Sequence, residues 1–336
     1  MKQKYFFIIA MVLCVAMKSF SQDKPSWIDT PQNNYPNVQF LTSVGVGDTR
    51  KGAENNALAN LSTMFEASIK AENTITERYK ELFAGESSTM EKSSEVAKDV
   101  TVSSSQTLSN VQFAESFTDK MGQCYVLAVL ERVPTAKIYQ KKMELNAQQI
   151  TFYTTSAQNT NDDVMKFAYL NAASVISQMN EALKKQLVII LPGAQNEMKL
   201  QYDHNELMKQ LSEAMKKIIF SVALTNDAGG KVATMVKELI STQGFVVSDK
   251  SVLAIVGDVH FEQIDLQRPE KYVRWNYQLS VNDVKGNTVV TLSENGREGH
   301  LTYEEAKARS LRTIKEKIKI SFAKEINKYF DGVVKK

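Results

Sequence analysis

Apolar and polar positions alternate with two distinct periods along this chain, and the change from one period to the other marks its elements. The run Gln39-Phe40-Leu41-Thr42-Ser43-Val44-Gly45-Val46-Gly47 reads as an extended strand. Directly after it, Ala53, Ala57, Leu61, Met64, Phe65 and Ile69 recur at helical spacing, which predicts an amphipathic helix lying on that strand. Alanine at 53 and 57 allows close backbone approach, and Gly45 and Gly47 tolerate a near neighbour. Asp48 or Thr49 stands where a cap for the helix amides is wanted. Pro25-Ser26-Trp27-Ile28 leads into this strand, turn and helix.

Farther on, Glu77 to Phe83 can prolong the helix, Ala84 to Thr89 is polar, and Val100 to Asn110 fits helix or strand. Val111–Phe117 and Gln123–Leu130 read as a hairpin in the sheet of Gln39–Val46. From Pro134 the period becomes helical, through Ile138, Met143, Leu145 and Ile150, and again from Val164 to Leu183. Two antiparallel helices acting as a connector follow from this. Leu187 to Leu191 is either a strand or the buried end of the second helix.

In the last third, Leu207, Leu211, Met215 and Ile218 form one helical stripe and Val232 to Ile240 another, stopped by Gly244. Leu253 to Phe261 and Val273 to Val281 alternate strictly, as strands with one buried and one wet face do. Asp283 to Asn287 turns the chain into a third strand, Thr288 to Leu292. Thr302-Tyr303-Glu304-Glu305 has the form of a capping box and opens a long closing helix through Phe330.

Composition alters this picture mainly at the start. Met1-Lys2-Gln3-Lys4 is positive, Tyr5 to Met17 is apolar, and Ser19-Phe20-Ser21 offers the small residues of a cleavage site before Gln22, as in a secretory signal. The apolar run is shorter than the ~20 residues of a membrane span. Removing it takes Lys2, Lys4 and Lys18 and no acid from a chain of formal charge +3, leaving a neutral protein. Nucleic-acid binding, which needs a clustered basic surface, is therefore not expected. Cys14 falls in the signal and Cys124 is alone in the mature chain, so no internal disulfide forms. Leu13 before Cys14 is a poor match to a lipidation signal, which favours a form without a lipid anchor. With 336 residues and 43% hydrophobic content the chain can bury more than one core.

Pro25-x-Trp27, Tyr35-Pro36, Val44-Gly45-Val46-Gly47, the Ala53/Ala57/Leu61 helix and Tyr125-Val126-Leu127-Ala128-Val129-Leu130-Glu131-Arg132 together resemble the Lpp-twenty family of bacterial outer-membrane lipoproteins and the N-terminal domain of flagellar assembly protein T. The likeness covers residues 25–132. It implies an envelope accessory or surface protein without an assigned catalytic centre. Residues 200–330, with Gly257-Asp258-Val259 and Ala306-x-Ala308-Arg309, are similar to anticodon-binding-like domains in flagellar assembly protein T and the curli secretion channel subunit. Fold likeness of that kind brings no activity with it.

Candidate chemistry is sparse. Asp258, His260 and Glu262 project from one strand face, with His300 as a further member, and a hydrolytic metal site there competes with a plain solvated face. Gly45-x-Gly47 before a helix invites a phosphate reading, but Arg50 stands where a dinucleotide fingerprint needs its third glycine. Cys124, beside Tyr125 and Val126, reads as an inert buried thiol. Trp27, between Pro25 and Pro31, either pins the leading segment or serves as an exposed anchor for a partner.

The expectation is an α+β protein: signal peptide 1–21, an Lpp-twenty-like domain 22–133 with an antiparallel sheet packed on a long helix, a helical connector 134–198, and a C-terminal α/β domain 199–336 with antiparallel strands. It is expected to be exported, to need no cofactor and to work through contacts with envelope proteins, with outer-membrane association left open. A periplasmic ligand-binding module and a metal-dependent hydrolase are the alternatives.

Overall fold

The computed structural model describes residues 24–84, 108–227 and 229–335, so the leader, Cys14 and the polar stretch 85–107 lie outside the described residues. The fold is α+β and divides into two compact units, one of residues 24–66 with 108–135, the other of residues 67–84 with 136–335.

In the first unit, β1 (Phe40–Gly47), β2 (Gln112–Thr118) and β3 (Cys124–Glu131) form an antiparallel sheet in the order β1-β3-β2. The central strand is buried from Val126 to Leu130, as a strand covered on both faces must be. Helix α1 (Arg50–Thr63) covers one face, with Thr49 capping its first turn through the Gly52 amide. Trp27 and Ile28 cover the other, in a short 3-10 turn packed on Leu127 and Val129.

Register decides which side chains meet α1. Leu41, Ser43 and Gly45 pair with Leu130, Ala128 and Val126 on the helix side. A Cβ at Gly45 would lie 2.1 Å from the Ala53 carbonyl oxygen and the Ala57 nitrogen, so only glycine permits this contact. The Ser43 hydroxyl donates to the Ala57 carbonyl at 2.7 Å. Val44, by contrast, joins the Trp27 cluster on the opposite face, because alternate residues of a strand point to opposite sides. Asn56 and Asn60, one helical turn apart, donate to the carbonyls of Val46 and Val44, two strand residues apart, and so cover acceptors of an edge strand.

The single long helix read from Ala53 to Phe83 is in fact two. The hydroxyls of Ser62 and Thr63 turn back onto the carbonyls of Leu58 and Asn60, and the chain breaks at Met64 and Phe65 before α2 (Glu66–Phe83) begins. Phe65 is fully buried while Met64, expected on the apolar stripe, is 45% exposed.

The second unit holds α3 (Arg132–Gln158), whose first residues belong to the first unit, α4 (Asp163–Ile190), α5 (His204–Met215), β4 (Ile219–Thr225), α6 (Lys231–Thr242), β5 (Val246–Val247), β6 (Leu253–Ile264), β7 (Lys271–Asp283), β8 (Thr288–His300) and α7 (Tyr303–Val334). The strand order is β5-β4-β6-β7-β8. β6, β7 and β8 pair antiparallel, as expected, while β4 runs parallel to β5 and β6, as the α6 crossover requires, so the sheet as a whole is mixed. The helices expected as a connector supply Ile150, Phe167 and Ile176 to the same core as Phe220, Trp275 and Phe322. Leu187 to Ile190 is the end of α4, with Leu187 and Ile190 buried and Val188 exposed, and Ile218 lies beyond α5, leading into β4.

Local signals worked where they were strong. Gly244, at φ +94°, ends α6 with the Phe245 amide bonded to Ile240 and its own amide to Ser241. Thr302 accepts from the Glu305 amide at the start of α7. β8, in contrast, runs eight residues beyond Leu292 to His300. That tail lacks an apolar alternation and is held by pairing with β7, where Trp275 faces Gly296 and Tyr272 faces Gly299.

A bidentate ion pair ties α2 to α7, with both Arg78 terminal nitrogens 2.6 Å from the Asp331 carboxylate oxygens and the carboxylate 8% exposed. Removing the guanidinium would strand a desolvated charge. Arg78→Ala should cost about 3 kcal/mol in denaturant unfolding, while Arg78→Ala with Asp331→Leu should recover most of it. Gly45→Val should destabilise the first unit by about 3 kcal/mol or more in thermal melting, whereas Gly122→Ala, where a Cβ meets no neighbour and only the left-handed φ of +85° opposes it, should cost about 1–2 kcal/mol.

Candidate functional site

The strand alternation that singled out Asp258, His260 and Glu262 does place them on one face of the second sheet, the side away from Trp275 and Tyr277. Even-numbered residues of β6 and β7 and odd-numbered residues of β8 share this face, which gives a set of cross-strand rows. Ile264, Tyr272 and Gly299 make the first, Glu262, Arg274 and Arg297 the second, His260, Asn276 and Asn295 the third, and Asp258, Gln278 and Ser293 the fourth.

The three candidate ligands each have separate surroundings. Asp258 accepts hydrogen bonds from the Thr225 hydroxyl, at 2.9 Å, and from the Asn226 amide. Asn226 reaches it from a left-handed backbone position at φ +57°, just past the end of β4. Glu262 is paired with Arg274 at 3.1 Å. His260 is exposed, opposite Asn276. Alternate strand residues stand ~7 Å apart, and no three His, Cys, Asp or Glu side chains among the described residues are grouped to hold a metal ion. His300 pairs with Lys271 and so lies on the opposite face, which removes it from this group.

The remaining candidates find structural surroundings. Gly45 and Gly47 serve the close contact with α1; a Cβ at Gly47 would stand 2.7 Å from the Ala53 nitrogen. The N-terminus of α6, another place for an anion, is already filled by the Asp227 carboxylate, which accepts from the amides of Val232 and Ala233. Cys124 is half-buried at the first position of β3, its sulfur 3.5 Å from the Thr118 hydroxyl, rather than fully inside the sheet. Trp27 is 6% exposed, within the cluster of Ile28, Leu127 and Val129. That burial gives its indole the pinning role and removes it as a surface anchor.

Two constellations escaped sequence reasoning. One is a buried polar chain in the second unit: the Tyr79 hydroxyl donates to Asn146, Asn146 to Asn180, and Asn180 to the Tyr202 hydroxyl and the Met143 carbonyl. Burial pushes the Tyr202 hydroxyl above the usual tyrosine range, against the opposing hydrogen bonds of Asn180 and Ser177. Ser177 also meets His204 Nδ1 at 2.8 Å. Only asparagine and serine inside an otherwise apolar helical pattern signalled it. The other is Tyr272, whose ring lies across Gly299: a Cβ there would be 2.6 Å from ring carbon Cε1. The guanidinium of Arg297 stands 5.3 Å from the centre of the same ring. A glycine directly opposite an aromatic was the available signal.

The fold and this face together define an α+β chain whose two units each pack helix on sheet, the second with a broad polar sheet surface. No known family model and no characterised relative matches the sequence. Among solved structures the chain is similar to the secreted protein HP1454 from Helicobacter pylori, at 12% identity and TM-score 0.44, with 86% of this chain and 97% of that chain covered. It is also similar to a minor lipoprotein from Acinetobacter baumannii, at 15% identity and TM-score 0.24, over 34% of this chain and 94% of the other. A further likeness is to a putative lipoprotein from Caulobacter crescentus, at 12% identity and TM-score 0.24, over 35% and 92%.

Trp27→Ala should lower the stability of the first unit by about 3–5 kcal/mol, read from a melting curve, since it empties the face of the sheet opposite α1. An unchanged melting curve would contradict the buried position of the indole.

Proposed function

We propose that this chain is an exported cell-envelope protein of non-catalytic kind, an accessory or assembly factor that acts through contacts with other envelope proteins and is related in its first unit to the Lpp-twenty-type lipoproteins. The observation that carries the reading is the leader: Lys2 and Lys4, the apolar run Tyr5 to Met17, and Ser19-Phe20-Ser21 before Gln22. The residues that acid–base or metal chemistry would use lend it support, because their bonds are structural ones. Asp258 holds the end of β4, Glu262 pairs with Arg274, Asp227 caps α6, and His204 joins the Ser177 hydroxyl. Among the described residues no helix is long and apolar enough to cross a membrane.

Fractionation with in-envelope crosslinking tests this reading. The mature chain should begin at Gln22, collect in the envelope fraction and crosslink reproducibly to a discrete envelope protein. An uncleaved chain in the cytosol would overturn the export assignment. Stoichiometric metal in the purified protein, lost together with hydrolytic turnover on chelation, would replace the accessory reading with the hydrolase.

A further inference from the structure

Without its leader the chain carries no net formal charge, yet its charges are unevenly spread. Between Ala306 and Lys324, in the N-terminal part of α7, seven cations stand against one acid, Glu316. Three of the seven are engaged: Lys307 lies 5.0 Å from the centre of the Phe261 ring, Arg309 donates to the Gly299 carbonyl, and Lys315 pairs with Glu238 of α6 at 3.7 Å. Arg312, Lys317, Lys319 and Lys324 are exposed and, among the described residues, have no acid within salt-bridge distance. Acids do border the stretch, since Glu298 accepts from the Thr313 hydroxyl and Glu294 stands on the same side of β8. With these two, Glu238 and Glu316 counted, the cations still lead by seven to four.

Apolar surface is set among these cations. Ile320 is 68% exposed, because it lies about 200° round the helix from Ile318, which is buried with Ile314 and Phe322. Lys317 and Lys324, three and four residues from it, are its neighbours on the helix surface. On the flank of Lys315 and Lys319 a groove of about 360 Å³ opens between α6 and α7, where Met235, Val236, Leu239 and Ile318 line it together with Glu238 and Glu316. We propose that this face of α7 docks reversibly on a bilayer rich in anionic phospholipid. Headgroup phosphates meet the four unpaired cations, whose aliphatic stems keep the charge at headgroup depth while Ile320 and the groove offer apolar contact at the acyl boundary. Such a partner uses both halves of the surface. A hydrophilic polyanion such as nucleic acid would meet the cations and leave the isoleucine and the groove in water, and a neutral apolar partner would strand the cations. The contact is mainly electrostatic, since one inserted isoleucine adds little anchoring beside four cations. It goes beyond the accessory reading, and because vesicle binding is a property of the purified chain, either experiment can fail without the other.

Flotation of the purified mature chain with vesicles of phosphatidylcholine alone, and with vesicles containing about one-third phosphatidylglycerol, tests the surface. The chain should float with the second and not the first at about 50 mM salt, and should come off at about 500 mM. Lys317→Gln, Lys319→Gln and Lys324→Gln together should weaken binding by about tenfold or more, and Ile320→Ser by about threefold or more, with circular dichroism unchanged. Lys184→Gln, Lys185→Gln and Lys250→Gln together, which remove the same charge from exposed positions outside α7, should bind as the parent does. No flotation with the anionic vesicles, equal weakening by the two triple variants, indifference to Ile320→Ser, or tighter binding to a DNA duplex than to those vesicles would each overturn the proposal.

Discussion

The absence of one carbon atom at Gly45 governs the first unit. With a Cβ there, α1 could not lie against β1 at the observed separation, the Ser43 hydroxyl would not reach the Ala57 carbonyl, and Asn56 and Asn60 would not cover the carbonyls of Val46 and Val44. Hydrogen bonds form only within a narrow range of donor–acceptor distance, so the glycine comes first and the polar contacts follow from it. The second unit uses the same device. Gly257 allows Leu279 to approach, Gly296 accommodates Trp275, and Gly299 lets Tyr272 lie flat. In each case a glycine in an extended strand faces a bulky neighbour, and close packing is the reason for it rather than unusual backbone torsion.

Polar groups buried in the second unit are placed by complementary partners. Tyr79, Asn146, Asn180 and Tyr202 form a connected chain in which each carboxamide has both a donor and an acceptor role. Such a chain adds little net stability, but any other packing of α2, α3 and α4 would leave its members unsatisfied, and that penalty disfavours alternatives. The Arg78–Asp331 pair acts likewise between elements more than two hundred residues apart in sequence. Both arrangements fix which helix meets which, a choice that apolar stripes alone leave loose.

The two faces of the five-stranded sheet differ in what they carry. One side packs Trp275 and Tyr277 into the core with Ile318 and Phe322 of α7, while the other carries Asp258, held by Thr225 and Asn226, and Glu262, paired with Arg274. The same side as those acids presents the carboxamides of Asn276, Gln278 and Asn295 and the Tyr272 ring, which Arg297 overlies.

The sequence by itself determined the α+β class, the strand-turn-helix of the first unit, the hairpin joined to it, the Gly244 stop and the Thr302 start, because each depends on a short-range period or a single residue's backbone preference. It also determined that Asp258, His260 and Glu262 share a face. The tertiary structure decided the rest. It set Val44 on the Trp27 side, split the long helix at Met64, drew the α3 and α4 helices into the core of the sheet, made that sheet mixed, and carried β8 on to His300. Those outcomes depend on which surfaces meet across long separations in sequence, and a one-dimensional pattern records only that a side chain is apolar or polar, not what it will face.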